Sequence, residues 1–262
     1  MRICGPLLAL LLTASPAIAD DADDCNQSED PTLRVQGCTA MVLSGEWTGR
    51  DLAEILNNRG IAYKDLGLAQ QAIDDYDTAL RIDPDFLYLY INRGWAYTDL
   101  PQFMLALEDF NHVIDVAPGT PIAYLGRGWA HLWQGMPPEL AIEDFDKALA
   151  LLPGFAYAYY ARGIAFQRME EFARAVDDFD EALALEPGNP TYLYRRALTH
   201  CYADDLAAAV ADINQRWYFA PATVARDQQM LAEKRFYRRP VSGLVDEATQ
   251  SALKAWIAGG CW

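Results

Sequence analysis

A period of 34 residues constrains this chain more than any other feature of its sequence. Gly60, Gly94, Gly128, Gly163 and Ala197 stand 34, 34, 35 and 34 residues apart, and Pro84, Pro118, Pro153, Pro187 and Pro221 keep the same intervals. One inserted residue near Pro137-Pro138 accounts for the single 35. Between each Gly and its Pro come an aromatic-sized residue (Tyr63, Tyr97, His131, Phe166, His200) and a small one (Ala72, Ala106, Ala141, Ala175, Ala209). Four positions further stands Tyr76, Phe110, Phe145, Phe179 or Ile213. A period of this length marks a supersecondary unit that cannot bury its apolar face alone and must stack on copies of itself.

Each unit reads as two antiparallel helices. From Ala72 to Leu80 the apolar residues follow spacings of three and four, which excludes alternating strands. Gly on the first helix allows close approach, the large residue one turn later fills the space between the helices, and the small Ala on the second avoids a clash. Pro ends the pair because it has no N–H for the next rung of the ladder. On these residues the segment 53–223 resembles the tetratricopeptide repeat family over five units, 53–86, 87–120, 121–155, 156–189 and 190–223. The resemblance implies an all-α superhelix of five hairpins whose first helices line a concave groove that receives a peptide or a partner's extended segment. The fifth unit departs from the pattern with Ala197 and Ile213, as a terminal unit would. Arg34 to Val42 align with Ala72 to Leu80, so residues 20–52 are expected to form an arm and a single capping helix.

A second regularity concerns charge. Arg59, Arg93, Arg127, Arg162 and Arg196 each precede the repeat Gly or Ala, and Asp75, Asp109, Asp144, Asp178 and Asp212 each lie three residues beyond the small residue. The spacing predicts an Arg-to-Asp pair between the helices of each hairpin; an anion-binding Arg row in the groove is the competing reading. Placing first-helix residues by helical period puts Asn57, Lys64, Tyr88, Ile91, Trp95, Leu125, Trp129, Trp133, Tyr157, Tyr160 and Tyr194 in the groove, a lining rich in the aromatic anchors that interfaces use. Ordinary packing between neighbouring hairpins is the alternative for several of them, Trp95 and Trp129 above all. The Lys and Asn set of chaperone-tail-binding repeats is absent, so no carboxylate clamp is expected.

The ends of the chain speak to compartment. Arg2, the apolar run Leu7 to Leu12 and Ala17-Ile18-Ala19 have the layout of a cleaved signal peptide over residues 1–19, which points to a periplasmic or secreted protein with no membrane insertion after cleavage. Beyond it four cysteines remain, an even number that suits an oxidising compartment. Three pairings are possible. Position along the chain favours Cys25–Cys38 and Cys201–Cys261, and buried free thiols are the other reading. With 37 acidic residues against 21 Lys and Arg, the chain is no partner for nucleic acid, whose phosphates require clustered cations.

After Pro221 the period stops, and residues 224–262 hold six Lys or Arg against four Asp or Glu. The run Gln228, Leu231, Phe236-Tyr237, Pro240-Val241-Ser242-Gly243, Thr249, Ala252-Leu253 and Trp256 resembles the peptidoglycan-binding-domain-1 family over residues 227–257. Arg235 and Arg239 stand where that family carries glycines. The resemblance implies a small helical module in which Arg235, Phe236, Tyr237, Arg238, Arg239 and Trp256 could meet glycan or stem peptide. A small core closing the last repeat is the alternative.

No catalytic constellation accompanies these features. The three His residues do not cluster, and no HExxH, GxSxG, Walker-type or dinucleotide motif occurs. Acidic pairs such as Glu108-Asp109 and Asp177-Asp178 recur with the repeat and need no general-acid role. The expectation is a non-catalytic scaffold without metal or cofactor, binding a protein or peptide. Peptidoglycan is the second candidate ligand, through a wall-binding accessory that recruits an envelope enzyme, and an enzyme of unrecognised type is the third reading.

Overall fold

Paired helices make up the chain, the second of each repeat pair ending two residues before a repeat proline and the repeat glycines lying within the first. The structure, a computed structural model, describes residues 16–261, so the apolar run of the expected signal peptide lies outside the described residues. Among those described are fourteen helices and no strand. The five units are the hairpins α3 (Gly49–Asp65) with α4 (Ala69–Ile82), α5 (Leu87–Asp99) with α6 (Phe103–Val116), α7 (Pro121–Gln134) with α8 (Pro138–Leu151), α9 (Ala156–Arg168) with α10 (Phe172–Leu185), and α11 (Pro190–Tyr202) with α12 (Leu206–Phe219). α1 (Pro16–Gln27) and α2 (Pro31–Ser44) precede them, and α13 (Thr223–Glu233) and α14 (Glu247–Ala258) follow. The chain divides into two units, the first ending at Asp109 and the second beginning at Phe110, within α6.

The repeat glycines have a direct steric cause. A Cβ on Gly60 would stand 2.5 Å from a ring carbon of Tyr76, one on Gly128 2.5 Å from Phe145, and one on Gly163 2.7 Å from Phe179. The ring four residues after the small Ala therefore occupies the space a Cβ on the first helix would need. The fifth hairpin makes the complementary exchange: Ala197 adds the methyl and Ile213 withdraws the ring, and both stay in the core. Van der Waals contact is kept at each crossing by a different division of the same volume.

Each repeat arginine forks onto the aspartate of its own hairpin. The Nε and Nη2 distances are 2.7 and 2.6 Å for Arg59–Asp75, 2.9 and 2.6 Å for Arg93–Asp109, 2.9 and 2.6 Å for Arg162–Asp178, and 3.0 and 2.6 Å for Arg196–Asp212. Arg127 and Asp144 pair in the same way. The remaining Nη1 donates to the second helix of the preceding hairpin: to Thr39, to Asp77 at 2.6 Å, to Asn111 at 2.8 Å, and to Asp146 and Asp180. One guanidinium thus joins the helices within a hairpin and links that hairpin to its neighbour, so the anion-row reading finds no open fork. The aromatic-sized residue one turn after the Gly packs against the hairpin core and also lies beside these pairs. Tyr63, Tyr97 and Phe166 hold their rings 5.8, 5.7 and 5.9 Å from these guanidinium carbons and shield the pairs.

The two ends close differently. Instead of an arm and one capping helix, the N-terminal end is a sixth hairpin: α2 packs on α1 so tightly that a Cβ on Gly37 would lie 2.5 Å from the Asp21 carbonyl oxygen, and a Cys25–Cys38 disulfide spans the pair. At the C-terminal end α13 and α14 cover α12, with Leu231, Tyr237, Leu253, Trp256 and Ile257 sharing a core with Ile213 and Trp217. Buried Gln228 holds the connecting loop: its amide donates to the Leu244 carbonyl and Thr249 hydroxyl, both at 2.8 Å, and its oxygen accepts from the Ser242 and Gly243 N–H groups at 3.0 and 2.9 Å. Asn214, which in the next repeat's absence has no arginine to receive, accepts instead from Gln250 at 2.7 Å. A Cys201–Cys261 disulfide ties the last residues to α11.

Candidate functional site

In the second unit, the first helices α7, α9 and α11 carry a run of stacked rings. Trp129 and Trp133 lie 4.9 Å apart and nearly parallel, Tyr157 and Tyr160 5.5 Å, and Tyr160 and Tyr192 5.0 Å; Trp129 bridges to Tyr157 at 6.0 Å. Helical period explains the pattern, since residues three or four apart share a face and hairpins repeat that face. Trp133 and Tyr157 remain 39% and 38% exposed and form the accessible part of the stack. Trp129, Tyr160 and Tyr192 are buried beneath them and fix their orientation. Burial holds the Tyr157, Tyr192 and Tyr194 phenols above their ordinary range, so at neutral pH each is a neutral hydroxyl able to donate or accept.

Not every residue placed in the groove by helical period reaches a surface. Ile91 and Leu125 are buried, at 5% and 1% exposure, because helix-to-helix packing claims the flank of the first helix that a period alone assigns to a ligand. Trp95 and Tyr194 are half-buried, and Tyr88 is exposed. At the N-terminal end Asn57 accepts from Asn92 at 2.8 Å, and Lys64 lies 3.6 Å from Asp99. Polar contacts within the protein thus occupy both residues expected to meet a ligand there.

The C-terminal module divides the expected glycan contacts in two. Tyr237 and Trp256 sit in the core at 4% and 3% exposure and offer no sugar platform. Phe236 is half-buried, while Arg235, Arg238 and Arg239 are exposed. Arg235 has φ 66°, the left-handed conformation that favours glycine. Among the described residues no three His, Cys, Asp or Glu side chains come together as a metal-holding group, and no helix is long and apolar enough to cross a membrane.

Three features escaped the sequence reading. Tyr192 joins the ring stack from the start of α11, two residues before the position singled out. The acceptors Asp77, Asn111, Asp146 and Asp180 are legible in retrospect as the second acid or amide of an Asp-x-Asp/Asn pattern. A cleft between α11 and α13 depends on how the terminal module seats, which no period encodes.

With the hairpins and their crossings described, comparison with known proteins assigns the repeats. Residues 53–86 and 156–189, the first and fourth units, match the tetratricopeptide repeat family. Solved tetratricopeptide repeat proteins share the fold. One from Parabacteroides merdae superposes with a TM-score of 0.66 at 20% identity, over 94% of this chain and 93% of that chain. A thermophilic one from Thermus thermophilus gives 0.59 at 19% identity, over 64% and 92%. PilW, a widely conserved type IV pilus biogenesis factor, gives 0.65 at 20% identity, over 79% and 93%. No curated protein sequence matches the chain.

Proposed function

We propose that the chain is an exported, non-catalytic scaffold that holds an extended protein or peptide segment against the ring stack of α7, α9 and α11. The observation that carries this is the exposure of Trp133 and Tyr157 on top of buried rings that hold them rigid. Flat, pre-ordered aromatic surfaces contribute large contact area at small entropic cost. Export is supported by the Ala17-Ile18-Ala19 pattern and by two cysteine pairs at bonding distance. Affinity capture from a periplasmic extract tests the reading. Trp133→Ala with Tyr157→Ala should abolish capture of the proteins retained by the wild type while leaving the melting temperature within a few degrees. Substitution of Trp129 or Tyr160 is unsuitable, because both support the core. Unchanged capture by the double variant would refute the groove.

A wall-binding accessory is the second reading, and the exposed Arg235, Arg238 and Arg239 favour it, since guanidinium groups pair with peptidoglycan carboxylates. Sedimentation with purified sacculi, compared between the wild type and a variant with all three changed to Gln, tests it. Equal sedimentation of the two would refute the role of these arginines.

A further inference from the structure

A cleft of about 720 Å³ opens between α11 and α13 in the second unit. On its wall the buried guanidinium of Arg216 donates through Nη1 to Asp227, which also accepts from the Trp217 indole at 2.7 Å. The Nε of Arg216 is buried with no hydrogen-bond partner among the described residues, and the group lies 5.0 Å from the centre of the Tyr194 ring. Arg195, half-buried on α11, and Arg226, exposed on α13, also line the cleft. Neither side chain makes an ion pair or hydrogen bond among the described residues. Their state contrasts with the repeat arginines, all five of which fork on aspartate.

We infer that this cleft binds the carboxylates of an acidic peptide segment; the inference rests on the scaffold reading for the ligand's being a peptide and adds the chemistry that selects it. The cleft gathers three guanidinium groups against two acids, Asp227 and Glu233, and Asp227 is committed to Arg216 and Trp217. In a chain with 37 acidic and 21 basic residues this local excess of cations is contrary to the average surface. Three guanidinium groups against two carboxylates leave the cleft with a net positive charge, and a protein-walled cleft with such an excess attracts the opposite charge. The planar fork of arginine matches a carboxylate bidentately, and Arg195 and Arg226, whose side chains make no hydrogen bond among the described residues, line one cleft. Half-buried Tyr194 lines the same cleft and offers an aromatic contact to side chains between successive carboxylates.

The test uses the full chain after its signal peptide and a fluorescein-labelled octapeptide, Gly-Ser-Leu-Glu-Tyr-Glu-Asp-Glu. Three controls accompany it: the same peptide amidated at its C-terminus, the peptide with Gln and Asn for its acids, and sodium citrate as competitor. The acidic peptide should bind at least about tenfold more tightly than the neutral one and weaken as salt rises. Arg195→Gln with Arg226→Gln should lower its affinity by about tenfold or more without moving the melting temperature, since neither residue supports the core. The amidated control separates side-chain from terminal carboxylates. Displacement by citrate well below the concentration that ordinary ionic strength requires would assign the site to small carboxylates and overturn the peptide. Equal binding of acidic and neutral peptides, an unaffected double variant, or no binding at about 1 mM peptide would also overturn it. The two readings fail separately: capture through Trp133 and Tyr157 does not depend on Arg195 or Arg226, and loss of peptide selectivity leaves that capture intact.

Discussion

A single methyl group decides how close the helices of a hairpin can come. At Gly163 a Cβ would press on the Phe179 ring, and the ring, fully buried, has little room to retreat. Gly163→Ala is expected to cost about 2 kcal/mol, as overpacking of a close crossing does. The fifth hairpin shows the remedy, with Ala197 facing Ile213. Phe179→Ile alone should cost about 1 to 2 kcal/mol by leaving a void, yet combined with Gly163→Ala it should recover part of the loss. A double-mutant cycle by urea denaturation should give a favourable coupling of about 1 kcal/mol, and additivity would mean the exchange at 197 and 213 is unrelated to packing. His131 is a second residue whose slot matters. Burial, aided by Arg127, holds its imidazole below the ordinary range against the opposing pull of Asp144, 3.7 Å from Nε2. A depressed folded value means that this contribution to stability is complete above about pH 6.5 and is lost as pH falls through the folded value. His131→Phe installs the side chain that the fourth unit carries as Phe166. Stability measured at pH 7 and pH 5 should therefore fall more in the wild type than in the variant, and equal losses would exclude His131 as the cause.

At the scale of the element, the arginine fork is what turns a pair of helices into a repeat. Arg162 holds Asp178 within its own hairpin and reaches back to Asp146 on α8. Burial pushes the Asp178 carboxyl above its usual range, and Arg162 opposes that shift. Arg162→Leu leaves a buried carboxylate unpaired, at a cost of about 3 kcal/mol near neutrality. The loss should shrink in acid. Without its partner Asp178 has a still higher folded pKa, so stability is relatively greater while the group is protonated and falls as pH rises through that value. Denaturation midpoints at pH 4 and pH 7 check this, and a deficit independent of pH would assign the effect to lost packing of the long side chain. These elements explain what was legible beforehand. Gly, Ala, Phe, Arg and Asp at fixed offsets are each required by one crossing, so five copies expose the hairpin, its ends and its ion pair. The aromatic face was half legible, because period assigns a side of a helix but not which part of that side a neighbouring helix covers; Ile91 and Leu125 were lost to packing for this reason. α1 was missed because its crossing on α2 uses Gly37 and a disulfide instead of the repeat's glycine and ring.

For the molecule as a whole, the repeat organisation predicts that stability is local. Contacts in a stacked array join neighbours only, so a change at one end need not be felt at the other. The two disulfides offer a direct measure. Cys25 and Cys38 are 13 residues apart and Cys201 and Cys261 are 60 apart. Loop-closure entropy then assigns about 3 kcal/mol to the first and about 4 kcal/mol to the second. The second also retains the terminal helices over α12, where Trp217, Leu253 and Trp256 share a core. Native-state hydrogen exchange on Cys25→Ser with Cys38→Ser should show faster exchange in α1 and α2 while α11 to α14 keep their protection. Cys201→Ala with Cys261→Ala should give the reverse, with α13 and α14 opening first because only their core with α12 and the Gln250 and Asp227 hydrogen bonds, and no covalent tie, would then hold them. A uniform rise in exchange across both units in either variant would show that the chain unfolds as one cooperative body, and the nearest-neighbour account would fail.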